Sequence, residues 1–238
     1  MSDFLVNLVL AGLPVIAAIT LHEAAHGYAA WALGDDTARN LGRLSLNPLR
    51  HVDRVGTLLV PGALVLGQLL TVGQVGFVFG WAKPVPVDPR RFRDPRRGMA
   101  LVAAAGPAAN AVLAWLGALG FRATYGITGV TEYVNAVLYL FIISNLVLGL
   151  FNLLPIPPLD GGRIAVGVLP LPLARAWARL EGVGLAVVLL VVFLLPRLSA
   201  EFGQRIDPVG NVLGYVMPWA LGIVAQLSGN PLDALSWS

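Results

Sequence analysis

The chain has 238 residues, of which 57% are hydrophobic and only 12% are charged, and it carries a formal net charge of +3. An average soluble domain has about 25% charged residues, so this composition excludes a soluble globular domain and a disordered chain and favours a membrane protein. The chain contains no cysteine, which excludes disulfides and thiolate ligands and leaves His, Asp and Glu as the side chains for any metal site.

Uncharged runs in the chain predict the membrane helices. A spanning helix needs about 20 apolar residues. Runs without Asp, Glu, Lys or Arg cover 4–21, 55–82, 98–121, 133–159, 182–196 and 208–232. The first run lacks the basic start of a signal peptide and is expected to be retained as a helix that ends near Gly34. The sequence therefore predicts an all-α polytopic membrane protein, a bundle of about five or six transmembrane helices.

The first helix carries a metal-binding pattern at its C-terminal end, where residues 22–26 read His-Glu-Ala-Ala-His. His22 and His26 are four residues apart and project from one helical face, so both imidazoles can hold one zinc ion. Glu23 can take a proton from a water on that ion, as in the HExxH motif of zinc hydrolases. The alternative is a solvated helix end, but ionisable groups at membrane depth are costly and usually functional.

A catalytic zinc has three protein ligands and one open position. The third ligand is expected to be Asp160, in the segment 152–162 that reads NLLPIPPLDGG and ends the longest uncharged run. Pro155, Pro157 and Pro158 should break the helix there, and broken helices at membrane depth occur where they line a cavity. The alternatives are that Asp160 caps the next helix, or that His51, the one further histidine, completes the site.

The motifs together resemble the site-2 protease family of intramembrane zinc metalloproteases. The resemblance rests on the order of HExxH at 22–26, GPxxN at 106–110 and NxxPxxxLDG at 152–161, and on the segments 46–53 and 79–87. It is closest to the compact bacterial branch, which lacks the PDZ or CBS domains of its relatives. We accordingly expect one membrane-embedded domain over 1–238, with a catalytic core at 1–181 and C-terminal helices at 182–238.

The resemblance implies one Zn²⁺ per chain, held by His22, His26 and Asp160, with Glu23 as general base in peptide hydrolysis. It also suggests that Asn110 and Asn152 hold the substrate backbone or the oxyanion, although each could instead form a hydrogen bond between helices. The implied partners are the lipid bilayer and transmembrane protein or peptide substrates, such as membrane-tethered regulators or signal-peptide remnants. No nucleic acid is expected, and the sequence does not give the oligomeric state.

Charge predicts the topology. Loops around 39–54, 83–97 and 163–179 hold thirteen of the sixteen basic residues, so we expect them in the cytosol, the N-terminus outside and the active site toward the cytosolic side of the bacterial cytoplasmic membrane. Both loops that flank 55–82 are then cytosolic, and this run is too short to cross twice. It is predicted to be a re-entrant hairpin, broken around 61–62 or 73–76, and the rival is a single spanning helix.

Three features leave alternatives open. The segment 81–87 alternates proline and apolar residues, which predicts either a short membrane-associated β element that can pair with substrate or a proline-stiffened loop. His51 and Asp53 could form a second metal site or gate water, but a structural pair is favoured. Residues 163–181 are amphipathic and basic, as in an interfacial helix. A metal transporter and an inactive helix-binding scaffold are the competing functions, disfavoured by the absence of repeats and by the intact motifs.

Overall fold

The computed structural model describes residues 2–71, 73–75, 78–127, 130–231 and 233–235. This part of the chain is mainly helical. Its α-helices are α1 (Ser2–Ala32), α2 (Thr37–Asn40), α3 (Val60–Thr71), α4 (Pro95–Thr124), α5 (Val130–Asn152), α6 (Asp160–Val168), α7 (Leu171–Ala178), α8 (Gly184–Leu189), α9 (Leu195–Glu201) and α10 (Pro208–Ser228). Two π-helical segments, Arg54–Leu59 and Leu190–Leu194, lead directly into α3 and α9.

Five helical stretches of the described residues are long and apolar enough to cross a membrane. They are Arg54–Thr71, Pro95–Thr124, Glu132–Asn152, Gly184–Glu201 and Pro208–Ser228. Helix α1 has 31 residues and is therefore about 46 Å long. The prediction of an all-α protein with several membrane-length helices is confirmed.

Helix α4 lies at the centre of the bundle and packs against α1, α5, α6 and α10. Small residues let its neighbours approach closely, as is usual between membrane helices. A Cβ placed on Gly117 would lie 3.0 Å from Phe141 of α5. The buried core between α4, α5 and α10 includes Ala114, Ala118, Ile142, Leu146, Met217 and Leu221. Large apolar side chains elsewhere, such as Leu70 and Tyr215, point outward, as suits a bundle surrounded by lipid.

The basic loops meet at one end of the bundle. Near the C-terminal end of α1, the fully buried Asp35 accepts hydrogen bonds from the N–H of Thr37 and from the N–H of Asp88, which precedes α4. Arg43 donates to the carbonyl of Lys83. The Arg96 guanidinium, in the first turn of α4, donates to the carbonyl of Leu169 after α6. These bonds join the three loop regions that hold most of the positive charge.

The segment that begins with the helical stretch Arg54–Thr71 returns to its own starting point. The N–H of Trp81 donates to the carbonyl of Gly56 over 3.1 Å, and the Thr57 hydroxyl donates to the carbonyl of Trp81 over 2.9 Å. Gly80 and Gly56 both lie where a side chain would not fit, since a Cβ on Gly80 would lie 2.5 Å from the Gly56 oxygen. The helix continues through the predicted break at 61–62 and ends at Thr71, before Gly73, whose φ is +76°.

The predicted β element at 81–87 is not confirmed, because no strand is found in the described residues. This segment is irregular and is held by single backbone hydrogen bonds to different parts of the chain, among them Lys83 N–H to the His51 carbonyl over 2.8 Å. The physical reason is that Pro84 and Pro86 have no N–H and that the described residues contain no neighbouring strand to form a ladder.

Candidate metal centre

His22 and His26 lie on one face of α1, as the four-residue spacing predicts. The Nδ1 atom of His22 lies 2.6 Å from Oδ1 of Asn110, and Nδ1 of His26 lies 2.8 Å from the carbonyl oxygen of Val102. Both partners belong to α4, so that helix orients both rings. A carbonyl oxygen can only accept, so Nδ1 of His26 carries the proton and its Nε2 presents a lone pair.

Asp160 reaches the same point from the other side of the bundle. Helix α5 ends at Asn152, the proline-rich turn follows, and Asp160 begins α6. The N-cap position of α6 belongs to Leu159, and Asp160 is the first helical residue, so the geometry gives the capping alternative no support. The glycines after it have φ values outside the left-handed region. They are needed instead for close packing, since a Cβ on Gly161 would lie 2.2 Å from the carbonyl oxygen of Leu153.

Three ligand atoms converge in this way. Nε2 of His22 lies 3.1 Å from Nε2 of His26, and Oδ2 of Asp160 lies 3.2 Å and 3.3 Å from these two nitrogens. Asp160 Oδ2 is buried and has no hydrogen-bond partner. Within the described residues this is the one group of three or more His, Asp or Glu side chains placed to hold a metal ion.

The spacing of the three atoms fits zinc. Ligands at about 2.0–2.1 Å from a tetrahedral centre lie about 3.3–3.4 Å apart. Two imidazole lone pairs and a carboxylate oxygen repel one another at these distances, and no proton is available between them when both rings are protonated at Nδ1. A cation relieves that repulsion, and a donor set of two nitrogens and one oxygen suits Zn²⁺.

Gly106 of the GPxxN motif provides the space for this arrangement. A Cβ on this residue would lie 2.5 Å from Cε1 of both His22 and His26 and 2.6 Å from Nε2 of His26. Both rings therefore pack directly on the backbone of α4, and any larger residue would push them away. The sequence motif located this glycine, but only the structure gives the reason for it.

Glu23 lies beside the cluster on α1 and is not part of it. Its Oε2 accepts a hydrogen bond of 3.2 Å from the N–H of Val85 in the irregular segment 78–88. This partner belongs to the segment in which a β element was predicted, and this is the one hydrogen bond found for the Glu23 carboxylate among the described residues. Glu23 is therefore not one of the three converging ligand side chains.

The two predicted substrate-binding asparagines have different surroundings. The amide of Asn110 is fully buried and occupied at both ends, because its Oδ1 faces His22 and its Nδ2 donates to Oδ1 of Asn145 over 2.8 Å. Asn152 donates from Nδ2 to the carbonyl of Leu148 on its own helix. A role in substrate binding stays a prediction for both residues, and Asn110 has an evident second role in orienting His22.

His51 and Asp53 have structural partners. Nε2 of the buried His51 lies 2.8 Å from the carbonyl oxygen of Ser45, and its backbone carbonyl accepts from Lys83. The Asp53 carboxylate accepts from the N–H groups of Val55 and Gly56 at the start of the next helix. Neither belongs to the three-residue ligand cluster.

Two buried polar residues were missed by the sequence reasoning. Asn145 lies in the middle of an uncharged run, and this isolation of an amide in an apolar helix is a signal that could have been used. Asp35 follows the Gly34 helix stop, and nothing local distinguishes its buried carboxylate from that of the half-buried Asp36. Both act through contacts with distant parts of the chain.

Comparison with known proteins identifies the family of this chain. The model of peptidase family M50 matches residues 124–195, which include Asn152 and Asp160. The "Putative zinc metalloprotease YwhC" of Bacillus subtilis is 41% identical over 191 residues, which are 76% of this chain and 78% of that protein. The chain belongs to peptidase family M50. This M50 membership confirms the resemblance to the site-2 proteases.

Two further relatives share one name. The "Putative zinc metalloprotease Rip2" of Mycolicibacterium smegmatis is 33% identical over 191 residues, which cover 80% of this chain and 69% of that protein. The protein of that name from Mycobacterium tuberculosis strain H37Rv is 32% identical over 189 residues, with coverage of 79% and 67%. No solved structure matches the chain.

Proposed function

We propose that this protein is an intramembrane zinc endopeptidase that hydrolyses peptide bonds within or near the transmembrane segments of membrane proteins. The observation that carries the proposal is the convergence of His22, His26 and Asp160 from two distant motifs, with Glu23 next to them. The names of the M50 relatives support zinc as the metal. The membrane-length helices around the site support action inside the bilayer.

In this proposal His22, His26 and Asp160 hold one Zn²⁺ per chain. Bound zinc would act as a Lewis acid and lower the pKa of a coordinated water to about 7. The surrounding side chains and backbone orient the ligands and limit the access of water. Asn110 and the Val102 carbonyl keep the two imidazoles oriented, and the low exposure of His22 and Asp160, 4% and 7%, limits the access of bulk water.

Glu23 is the proposed general base. It accepts a proton from the attacking water and passes it to the leaving amine as the peptide bond breaks. The hydrogen bond from Val85 holds the carboxylate in place by one oxygen, which leaves the other oxygen for the water. Asn152 is the stronger candidate to contact the oxyanion or the substrate backbone, because its Oδ1 is not used in the hydrogen bond to Leu148.

The segment 81–87 is the proposed place where substrate pairs. Peptide hydrolysis needs an extended substrate, because the carbonyls of an intact helix are already bonded. Trp81, Lys83 and Val85 donate their N–H groups toward the protein. In extended backbone Ala82, Pro84 and Pro86 turn their polar groups the other way. Only Ala82 among them has an N–H, so an unwound substrate would pair there mainly by donating to carbonyl oxygens, and it would complete a β element that is not found in the described residues.

We also propose that 55–82 is a re-entrant hairpin and that the metal centre lies toward the cytosol, with the N-terminus outside. The hydrogen bond between Trp81 and Gly56 supports this, because the first and last residues of the segment then lie next to each other on the same side of the membrane. The bonds that join the three basic loop regions at one end of the bundle support it as well. Positively charged loops are typical of the cytosolic side.

Reconstitution in liposomes tests the proposed activity. The purified protein would be combined with a panel of fluorescently labelled single-pass peptides whose helices contain glycine or proline, and cleavage would be followed by mass spectrometry. We expect cleavage within the apolar segments by the wild type, and its loss in Glu23→Gln. Cleavage that is equal in Glu23→Gln, or a zinc-loaded wild type that cuts no member of the panel, would contradict the proposal.

A further inference from the structure

A chain of buried amides leads from α5 to the metal centre. Asn145 of α5 and Asn110 of α4 are both fully buried, and His22 of α1 is 4% exposed. The links are Asn145 Nδ2 to the Phe141 carbonyl at 2.8 Å, Asn110 Nδ2 to Asn145 Oδ1 at 2.8 Å, and Asn110 Oδ1 to His22 Nδ1 at 2.6 Å. Three helices are therefore joined by one series of hydrogen bonds that ends at a metal-ligand side chain.

The direction of every bond in this series follows from its first member. The Phe141 carbonyl can only accept, so the Asn145 group that faces it is the NH₂. The oxygen of Asn145 must then face Asn110, which has to donate its own NH₂ to it. The remaining oxygen of Asn110 faces His22, and an oxygen of this kind requires a donor, which is Nδ1–H of the imidazole.

We propose that Asn145 is a positioning residue that, through Asn110, fixes His22 as the Nδ1–H tautomer. The inference rests on the proposed function, in which Nε2 of His22 binds zinc. A neutral imidazole has one N–H, and a proton on Nε2 would block that lone pair. Asn110 alone does not fix the tautomer, because its amide could turn over and offer NH₂ to His22. Asn145 prevents this, since a turned Asn110 amide would place the Asn110 oxygen against Oδ1 of Asn145.

A second asparagine on α5 provides a matched control. Asn135 also joins α5 to α4, by a hydrogen bond of 2.5 Å between the Thr124 hydroxyl and its Oδ1. It lies near the other end of the two helices, ten residues before Asn145 in the sequence. The change Asn135→Leu therefore removes an interhelical amide bond from the same helix pair without touching the series that reaches His22.

The tautomer can be observed without metal or activity. The chain has three histidines, so ¹⁵N-histidine labelling of the metal-free protein in detergent gives few NMR signals, which single His→Gln substitutions assign. We expect His22 of the wild type to be protonated at Nδ1. In Asn145→Leu we expect a mixture of tautomers and a zinc affinity, measured by chelator competition, that is roughly tenfold lower. Asn135→Leu should match the wild type in both measurements.

Two further variants keep the test decisive. Asn145→Ser can still donate to the Phe141 carbonyl but is too short to reach Asn110, so it should behave like Asn145→Leu even if the leucine variant does not fold. Asn145→Asp keeps an oxygen that faces Asn110 and should retain the wild-type tautomer. The proposal would be overturned if both Asn145→Leu and Asn145→Ser kept Nδ1 protonation and wild-type zinc affinity. If Asn145→Leu does not fold, the same result in Asn145→Ser alone would overturn it. A mixture of tautomers in Asn145→Asp would also overturn it. If the wild type binds no zinc, the proposed function fails, but the tautomer of the metal-free protein still tests this inference.

Discussion

Replacement of Gly106 by alanine should disrupt the metal centre without disrupting the fold. The added Cβ would lie 2.5 Å from Cε1 of both His22 and His26. Carbon atoms in contact prefer about 3.5–4.0 Å, so each ring has to retreat by about 1 Å. The rings are not free to do so, because Asn110 and the Val102 carbonyl hold their Nδ1 atoms.

The size of the effect follows from the tolerance of a zinc site. Ligand distances are normally kept within about 0.2 Å, and a displacement of about 1 Å in two of three ligands exceeds this several-fold. We expect the zinc affinity of Gly106→Ala to fall by roughly 100-fold, which corresponds to about 2.8 kcal/mol. Chelator competition monitored by a fluorescent zinc indicator measures this directly.

Gly12→Ala is the control on the helix that carries both histidines. A Cβ on Gly12 would meet no atom within 4 Å, so this change should leave zinc affinity unaltered and stabilise the helix by up to about 1 kcal/mol. Thermal unfolding and circular dichroism establish that both variants are folded. A folded Gly106→Ala that binds zinc as tightly as the wild type would refute the steric reasoning.

Two predictions concern the loops at the basic end of the bundle. Asp35→Ala leaves the N–H and hydroxyl of Thr37 and the N–H of Asp88 without their acceptor, so the free energy of unfolding should fall by about 3 kcal/mol; an unchanged thermal midpoint would contradict this. The Arg90 guanidinium, by its hydrogen bond, lowers the pKa of Asp88. The stability that this provides is present above the ordinary aspartate pKa of about 3.9 and is lost as the pH falls through the folded value. NMR titration of the Asp88 carboxyl should show the low pKa, and Arg90→Gln should raise it; the same pKa in both proteins would exclude Arg90 as the cause.

The local part of the metal centre could be predicted from the sequence. The spacing of His22 and His26 fixes their common face because helical periodicity is a local property. The proline-rich turn before Asp160 also ends α5 where the residues predict. The meeting of these two motifs was predicted from the need for a third ligand and from the resemblance to the site-2 proteases, and it was linked to the prediction that the 55–82 segment returns to its own side.

The remaining features depend on contacts between distant residues, which cannot be read from the sequence. The proposal that Asn145 is a positioning residue depends on its hydrogen bond with Asn110, which only the structure gives. The role of Gly106 is a steric one between two helices. At 81–87 the alternating pattern predicted a β element, but a strand needs a partner, and the described part of the free chain offers none.

The amount of zinc per chain in detergent-purified protein shows whether the HExxH motif and Asp160, 134 residues after His26, form one metal site. The metal content of the wild type, Glu23→Gln and Asp160→Ala would be compared by mass spectrometry after removal of loosely bound ions. We expect one zinc in the wild type and in Glu23→Gln, since Glu23 is not a proposed ligand, and much less in Asp160→Ala, which loses one of three ligands. Full zinc in Asp160→Ala would show that Asp160 is not a ligand, because the ion would then be held elsewhere.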